Sequence, residues 1–380
     1  IICTLLTAAI SATVITGCSG KPARSASTSI KGEMVSGNKE QNDAPDISDN
    51  AEASNKYKTV CLIGKGSQSP YWQSVLKGAQ SAADELGVKL EFQGPDSEAD
   101  IAQQVQMMNN AVQMSPSAIG LAALDVSTLK DAIKAAQDAG IPIIGFNSGV
   151  PEAPAGSVVA NVVTDNYKAG EVAAENTYPL IADKMKEASG SVRIGVMNQD
   201  AVSESIINRV LGFIDKITDL IEADGKTVCI MGNDRFVYDA KAEKGDSAQV
   251  ILEVAVPSKV EASLMTADAQ TLLSKDDTIC IFASNDKTSE GMITGDENLE
   301  RLGNDVIGVA FDSGTMIKNA IKEGKLAGVV TEDPVEIGYQ TVQIAVKAAS
   351  GERVEDVDTG SQWYNAENID TLEIADNLYD

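Results

Sequence analysis

Apolar runs of five to eight residues recur along the chain, several of them followed by a stretch with helical spacing. TVCLIG at 59–64 precedes Pro70–Leu86, VKLEFQG at 88–94 precedes Glu98–Met114, and AIGLAAL at 118–124 precedes Ser127–Ala139. IPIIGFN at 141–147 and SVVANVVTD at 157–165 follow. A strand with one wet face alternates apolar and polar residues, whereas most of these runs are apolar throughout. Strands of that kind separated by helices predict a parallel sheet covered on both faces.

The pattern then restarts. Helices are expected over Tyr167–Ala188 and Ser203–Ile221, with further apolar runs at 192–198, 227–232, 250–256, 278–285, 306–312 and 326–332. The fold class expected is α/β, with two doubly wound parallel-sheet lobes of about five strands each, a three-segment hinge and a ligand cleft between them. No residue-level repeat accompanies this duplication.

Ligands of open α/β sheets bind beyond the carboxyl ends of the strands. Those ends carry GSQSPYW at 66–72, Asn147-Ser148-Gly149, Thr164-Asp165-Asn166, Asn198-Gln199-Asp200, Asn285-Asp286, Asp312-Ser313 and Glu332-Asp333. These are hydrogen-bonding residues without a catalytic arrangement. Pro70 suits a first helical turn, which puts Tyr71 and Trp72 at a crevice rim. Neighbours on a helix diverge by about 100°, so the pair is expected to offer aromatic faces to a ligand rather than share one core. In a chain that is 4% aromatic such a pair is conspicuous.

Composition narrows the chemistry. The 380 residues include 30 Lys plus Arg, 56 Asp plus Glu and no histidine, for a formal charge of −26. That surface repels nucleic acid. Without histidine there is no Ser-His-Asp or Cys-His nucleophile. Cys61, Cys229 and Cys280 sit inside apolar runs and are expected as buried thiols. GKGSQS at 64–69 only approximates a dinucleotide fingerprint, and DAKAEKGD at 239–246 puts lysines where a calcium loop needs oxygen ligands. No cofactor or metal is expected.

Residues 1–17 carry no charge and form too short a run for a membrane span, as in a signal peptide truncated at its start. Ile15-Thr16-Gly17-Cys18 resembles a bacterial lipobox, which implies lipidation of Cys18. The stretch 18–55 has no aromatic residue and is expected to be a disordered tether with an end-to-end distance of roughly 30–35 Å.

The body resembles the ribose/galactose-type periplasmic sugar-binding proteins, the solute receptors of ABC importers. The resemblance spans most of 57–350. It rests on QSPYW, LKGAQSAADELG, IPIIGFNS, TDN at 164–166, INRVLGF at 207–213, FASND at 282–286, VAFDSG at 309–314 and AASGERV. It implies a first lobe of 56–163 plus 333–356 and a second of 164–332 plus 357–380. It also implies hinge residues Thr164, Asp165 and Asp333. Tyr71 and Trp72 take the positions that sandwich a sugar ring, and Gln68 lies near one that bonds a hydroxyl. Asn147 replaces a frequent Asp, Ser148 stands where an Arg often follows, and Arg209 matches a donor of the second lobe. Asn285 and Asp312 match its amide and carboxylate, and Glu332 stands where Gln is common. By residue type alone, Arg209 fits a surface charge equally well, and Asp312 and Glu332 fit helix caps.

Three departures keep ribose specificity from being carried over. Ser148 lacks a charge, Ala122 replaces an Asn, and no aromatic follows VAVPS at 254–258. Two carboxylates beside one cation disfavour an anion. The expected ligand is a neutral or amine-bearing monosaccharide or polyol. The expected partners are an ABC permease and, through the lipid, the membrane; nucleic acid is not one, and the protein is expected to be a monomer. The competing readings are a same-fold receptor for a chemosensory or two-component system and a lipoprotein glycoside hydrolase using paired carboxylates.

Overall fold

The computed structural model describes residues 58–375 and 377–380. The expected leader at 1–17, Cys18 and the tether to 55 lie outside the described residues.

Among the described residues, fourteen strands form two sheets. The first contains β1 (Thr59–Ile63), β2 (Lys89–Gln93), β3 (Ala118–Leu121), β4 (Ile143–Asn147) and β5 (Val158–Val163). The second contains β6 (Val192–Met197), β7 (Val228–Gly232), β8 (Glu243–Lys244), β9 (Val250–Ala255), β10 (Thr278–Ala283), β11 (Ile307–Phe311) and β12 (Leu326–Glu332). Late in the chain, β13 (Val357–Asp358) returns to the first sheet and β14 (Ser361–Tyr364) joins the second. Their orders are β13-β5-β4-β3-β1-β2 and β14-β12-β11-β10-β6-β9-β7-β8. All pairings are parallel except β14 with β12.

The chain crosses between the sheets three times: after β5, after β12 and between β13 and β14. Because β13 pairs with β5, the third crossing follows Asp358, two residues beyond the expected division at 356/357. Between the helix ending at Ala223 and β9, the second lobe adds β7, a short helix at Asp234–Asp239 and the edge strand β8, which pairs with β7.

Each sheet is sandwiched by helices, as the apolar strands require. Val60, Leu62, Phe146 and Val162 are buried in the first core. Ile194, Val196, Phe282 and Phe311 are buried in the second, where the Phe213 and Phe282 rings stack at 4.2 Å. Such side chains each contribute about 1.5–3 kcal/mol when fully buried. Cys61, Cys229 and Cys280 are free, buried thiols.

Both lobes use one helix-crossing device. A Cβ on Gly78 would lie 1.8 Å from the Val335 carbonyl oxygen, and one on Gly338 would lie 2.0 Å from that of Val75. In the second lobe, a Cβ on Gly170 would meet the Arg209 carbonyl at 2.0 Å, and one on Gly212 that of Tyr167 at 2.0 Å. Only glycine permits these backbone approaches. The second of these helix contacts brings the Arg209 backbone against Gly170.

Candidate functional site

The polar residues at the strand ends divide into caps and cleft residues. Asp165 accepts from Lys168 N at 3.0 Å and Asp333 from Glu336 N at 2.9 Å, so both start helices that leave a crossing segment. Thr164 ties the crossings together: its hydroxyl reaches Glu332 Oε2 at 3.0 Å, Thr359 Oγ1 at 3.2 Å and the Gly360 carbonyl at 3.2 Å.

Arg209 is 2% exposed, not a surface charge. Its Nη1 donates to the Ser284 carbonyl at 2.7 Å and its Nη2 to Glu332 Oε1 at 2.7 Å. Asn166 Oδ1 accepts from Nε at 3.2 Å and from Nη2 at 2.7 Å. The guanidinium lies 3.5 Å from the centre of the Phe311 ring. Four of its five N–H groups are thus directed at protein acceptors, and the remaining Nη1 proton lies on the side of Asp312, whose Oδ2 is 3.8 Å away.

Asp312 Oδ2 accepts from Asp286 N at 3.1 Å, but its Oδ1 is buried with no hydrogen-bond partner among the described residues. Burial pushes this carboxyl well above its ordinary range, Arg209 opposes the shift, and Glu332 and Asp286 add to it. Asp286 is raised to about 6 by burial and by Glu98.

Asn147 and Asp312 occupy equivalent places. Phe146-Asn147-Ser148-Gly149 ends β4 and Phe311-Asp312-Ser313-Gly314 ends β11, with φ of +55° at Asn147 and +74° at Asp312. Both backbones turn left-handed as they leave the sheet, which asparagine and aspartate tolerate better than most residues. Asn147 Nδ2 donates to the Tyr71 hydroxyl at 2.7 Å.

Tyr71 and Trp72 are not displayed at a rim. They are 6% and 2% exposed, they belong to one core cluster, and their rings meet edge to face at 5.1 Å. The indole is held between Gly64, Gly66 and Phe146, and its Nε1 donates to Glu98 Oε1 at 2.9 Å. Both residues still line the inner cleft, so the expected pair is kept while its exposure is corrected.

Two expected site residues point elsewhere. Gln68 is exposed at the cleft mouth and, among the described residues, its amide donates to Ser67 Oγ at 3.2 Å and to no residue of the inner cavity. The hydroxyl of Ser148 donates to the Ala123 carbonyl at 3.1 Å, which holds it behind Asn147 and away from the inner cavity. Asn285 does reach the cleft, donating to Gln199 Oε1 at 2.8 Å, and it also caps the helix Asp286–Asp296.

Lys65 and Glu98 complete the site, and the sequence reading singled out neither. The Lys65 ammonium crosses to the second lobe, 2.6 Å from Ser203 Oγ and 3.1 Å from Ser205 Oγ. Burial lowers its pKa, with Glu98 and Asp200 opposing the shift. Glu98 accepts from Gln199 at 3.0 Å and pairs with Lys287 at 3.1 Å. Burial disfavours its ionisation, but Lys287, Lys65 and the bonds from Gln199 and Trp72 outweigh that and hold it at about 2. The signal in the sequence was a lysine between two glycines directly after β1.

The inner cavity between these groups measures about 40 Å³, room for a few waters. A larger chamber of about 550 Å³ opens at the mouth, beyond Trp72 and Glu98, bounded by Gln68, Met265 and Met316. The buried charge converges on the inner cavity, so that is the candidate site. Admitting a ligand there requires Lys65 to leave Ser203 and Ser205 and the lobes to part.

Two α/β lobes on three crossings, with polar side chains from both facing one cleft, define a two-lobed solute-binding protein. The chain matches the periplasmic binding protein domain family over residues 60–353 and belongs to it. This is a family of binding proteins, not of enzymes.

The chain is similar to the ribose import binding protein of Salmonella typhimurium, with 25% identity over 298 residues, 78% of this chain and 86% of that one. A Brachyspira murdochii structure described as an ABC transporter, LacI family transcriptional regulator has 30% identity and a TM-score of 0.72, covering 86% of this chain and 100% of that one. An ABC transporter solute binding protein of Agrobacterium vitis with bound D-fucose has 28% identity and a TM-score of 0.70, covering 84% and 100%.

Proposed function

We propose that this extracytoplasmic, sugar-binding solute receptor of an ABC importer captures a neutral or amine-bearing monosaccharide or polyol by lobe closure, and that lipidated Cys18 holds it to the membrane. The observation that carries the ligand class is the buried, unpartnered Oδ1 of Asp312 beside the spare N–H of Arg209. A buried acceptor without a partner costs stability. A ligand hydroxyl donating to Asp312 and accepting from Arg209 would satisfy both groups at once.

Charge supports the same class. The inner cavity is lined by four carboxyl groups, Glu98, Asp286, Asp312 and Glu332, and two cations, Lys65 and Arg209; even with Asp312 pushed toward its neutral form by burial, acidic groups outnumber basic ones. A ligand anion would lose its water beside an acidic surplus. A neutral ring can instead exchange hydroxyl bonds with Lys65, Asn147, Arg209, Asn285 and Asp312 while its C–H face lies against Tyr71 or Trp72. Thr164, Asp165 and Asp333, on the crossings, serve as the hinge.

The relatives agree with this reading: one is named for ribose import, and another holds D-fucose. Calorimetric titration with neutral sugars, amino sugars, inositols and uronic acids tests it. The expected result is binding confined to the neutral and amine-bearing compounds. Tight binding of a uronic acid, lost in Arg209→Ala, would contradict it.

A further inference from the structure

No aromatic residue directly follows VAVPS at 254–258 in the second lobe, yet one faces Tyr71 from an unexpected part of the chain. Tyr379 is tied to the second lobe at Ser313, the residue after Asp312. Ser313 Oγ donates to the Tyr379 carbonyl at 3.0 Å, and Ser313 N donates to the Tyr379 hydroxyl at 3.4 Å. On either side, Leu378 packs on the second-lobe core and Asp380 pairs with Lys318. The Tyr379 ring, however, is buried in the first-lobe cluster, 8% exposed and edge to face with Tyr71 at 5.9 Å. Its phenol is kept neutral by burial and by Asp312 and Asp286.

We infer that Tyr379 is the aromatic contribution of the second lobe to ligand capture, a positioning residue that locks closure by seating on Tyr71. This rests on the receptor reading above. The backbone of Tyr379 travels with Ser313 and Asp312, and its ring contacts the first lobe, so parting the lobes must break the ring contact. Tyr71 in turn holds Asn147 through its hydroxyl, which links the latch to the inner cavity. An edge-to-face pair contributes beyond its buried area, and a contact made only in the closed state acts on release rather than on capture.

The test uses the full chain. Stopped-flow tryptophan fluorescence with D-ribose, D-fucose and D-arabinose finds a ligand and gives its rates. Tyr379→Ala is expected to speed dissociation roughly three- to tenfold with the association rate within about twofold of the parent. Tyr379→Phe, which keeps the ring, is expected to restore slow release. A Tyr379→Ala variant with a lowered unfolding midpoint but unchanged dissociation would overturn the inference, because the residue would then be structural only.

Spin labels at exposed Gln80 and Glu222, one in each lobe, give a readout without ligand. Tyr379→Ala is expected to shift the inter-lobe distance distribution to longer values and Tyr379→Phe is not; an unchanged distribution overturns the inference. If none of the three sugars binds, the monosaccharide reading loses support while the spin-label distances still decide the role of Tyr379.

Discussion

Arg209→Ala is the perturbation with the most calculable outcome. The guanidinium is bonded to Asn166, the Ser284 carbonyl and Glu332, and it lies on the Phe311 ring. Its removal leaves Glu332, 3% exposed, as a buried carboxylate with no cation in contact, and takes away the charge that opposes the upward shift of Asp312, 4% exposed. Breaking a buried pair from one side costs about 3–5 kcal/mol, most of it the penalty of the stranded charge. With roughly 2 cal/mol/K of unfolding entropy per residue over about 320 residues, 4 kcal/mol lowers the midpoint by about 6 °C. Urea unfolding at pH 7 with parallel calorimetry measures both quantities. Adding Glu332→Gln and Asp312→Asn to Arg209→Ala removes the stranded charge and should recover about half of the loss. A cost below about 1 kcal/mol, or a triple variant no more stable than the single one, would refute this electrostatic account.

Three further expectations follow from the same geometry. Trp72→Ala empties the space between Gly64, Gly66 and Phe146 and should cost about 3–5 kcal/mol in urea unfolding, with sugar binding lost; Trp72→Phe should retain most of both. Stability should rise from pH 7 to about 5 and fall below about 4.5. Asp286, held at about 6, burdens the fold while ionised and is relieved as it takes its proton, whereas Glu98, held at about 2, gives stability that is lost between 4.5 and 2. Asp286→Asn should flatten the rise, and a curve that declines steadily from pH 7 would show that these two groups do not govern it. Cys18→Ala should move the protein from the membrane fraction to the soluble fraction of the expressing cells, and retention on the membrane would remove the lipid from the account.

Much of the architecture was legible because parallel strands buried on both faces leave continuous apolar runs that few other arrangements produce. The short strands β8, β13 and β14 were not, since two to four residues carry too little pattern to register. In the site, Asn147, Asn285, Asp312 and Glu332 converge on the cleft because strand ends fix where a side chain emerges, and Arg209 joins them from the helix Glu204–Ala223. Gln68 and Ser148 escaped that logic because loop direction, not residue type, decides what they face. Lys65 and Glu98 were passed over because their roles depend on a partner from the other lobe, and an inter-lobe contact has no local signature. The matched turns after Phe146 and Phe311 were visible as a repeated Phe-Asn/Asp-Ser-Gly, but their shared left-handed backbone was not. Tyr379 lies 307 positions beyond Trp72 and joins the aromatic cluster only through the folded second lobe.

The central claim is that the cleft takes a neutral or amine-bearing sugar or polyol. Thermal unfolding against a panel of pentoses, hexoses, amino sugars, inositols, furanosyl compounds and uronic acids tests it most directly. A ligand at 100 times its dissociation constant adds about 2.7 kcal/mol. The account predicts a rise of about 4 °C for at least one neutral or amine-bearing compound, absent in Asp312→Ala. A rise confined to uronic acids, or one that survives Asp312→Ala unchanged, would contradict it.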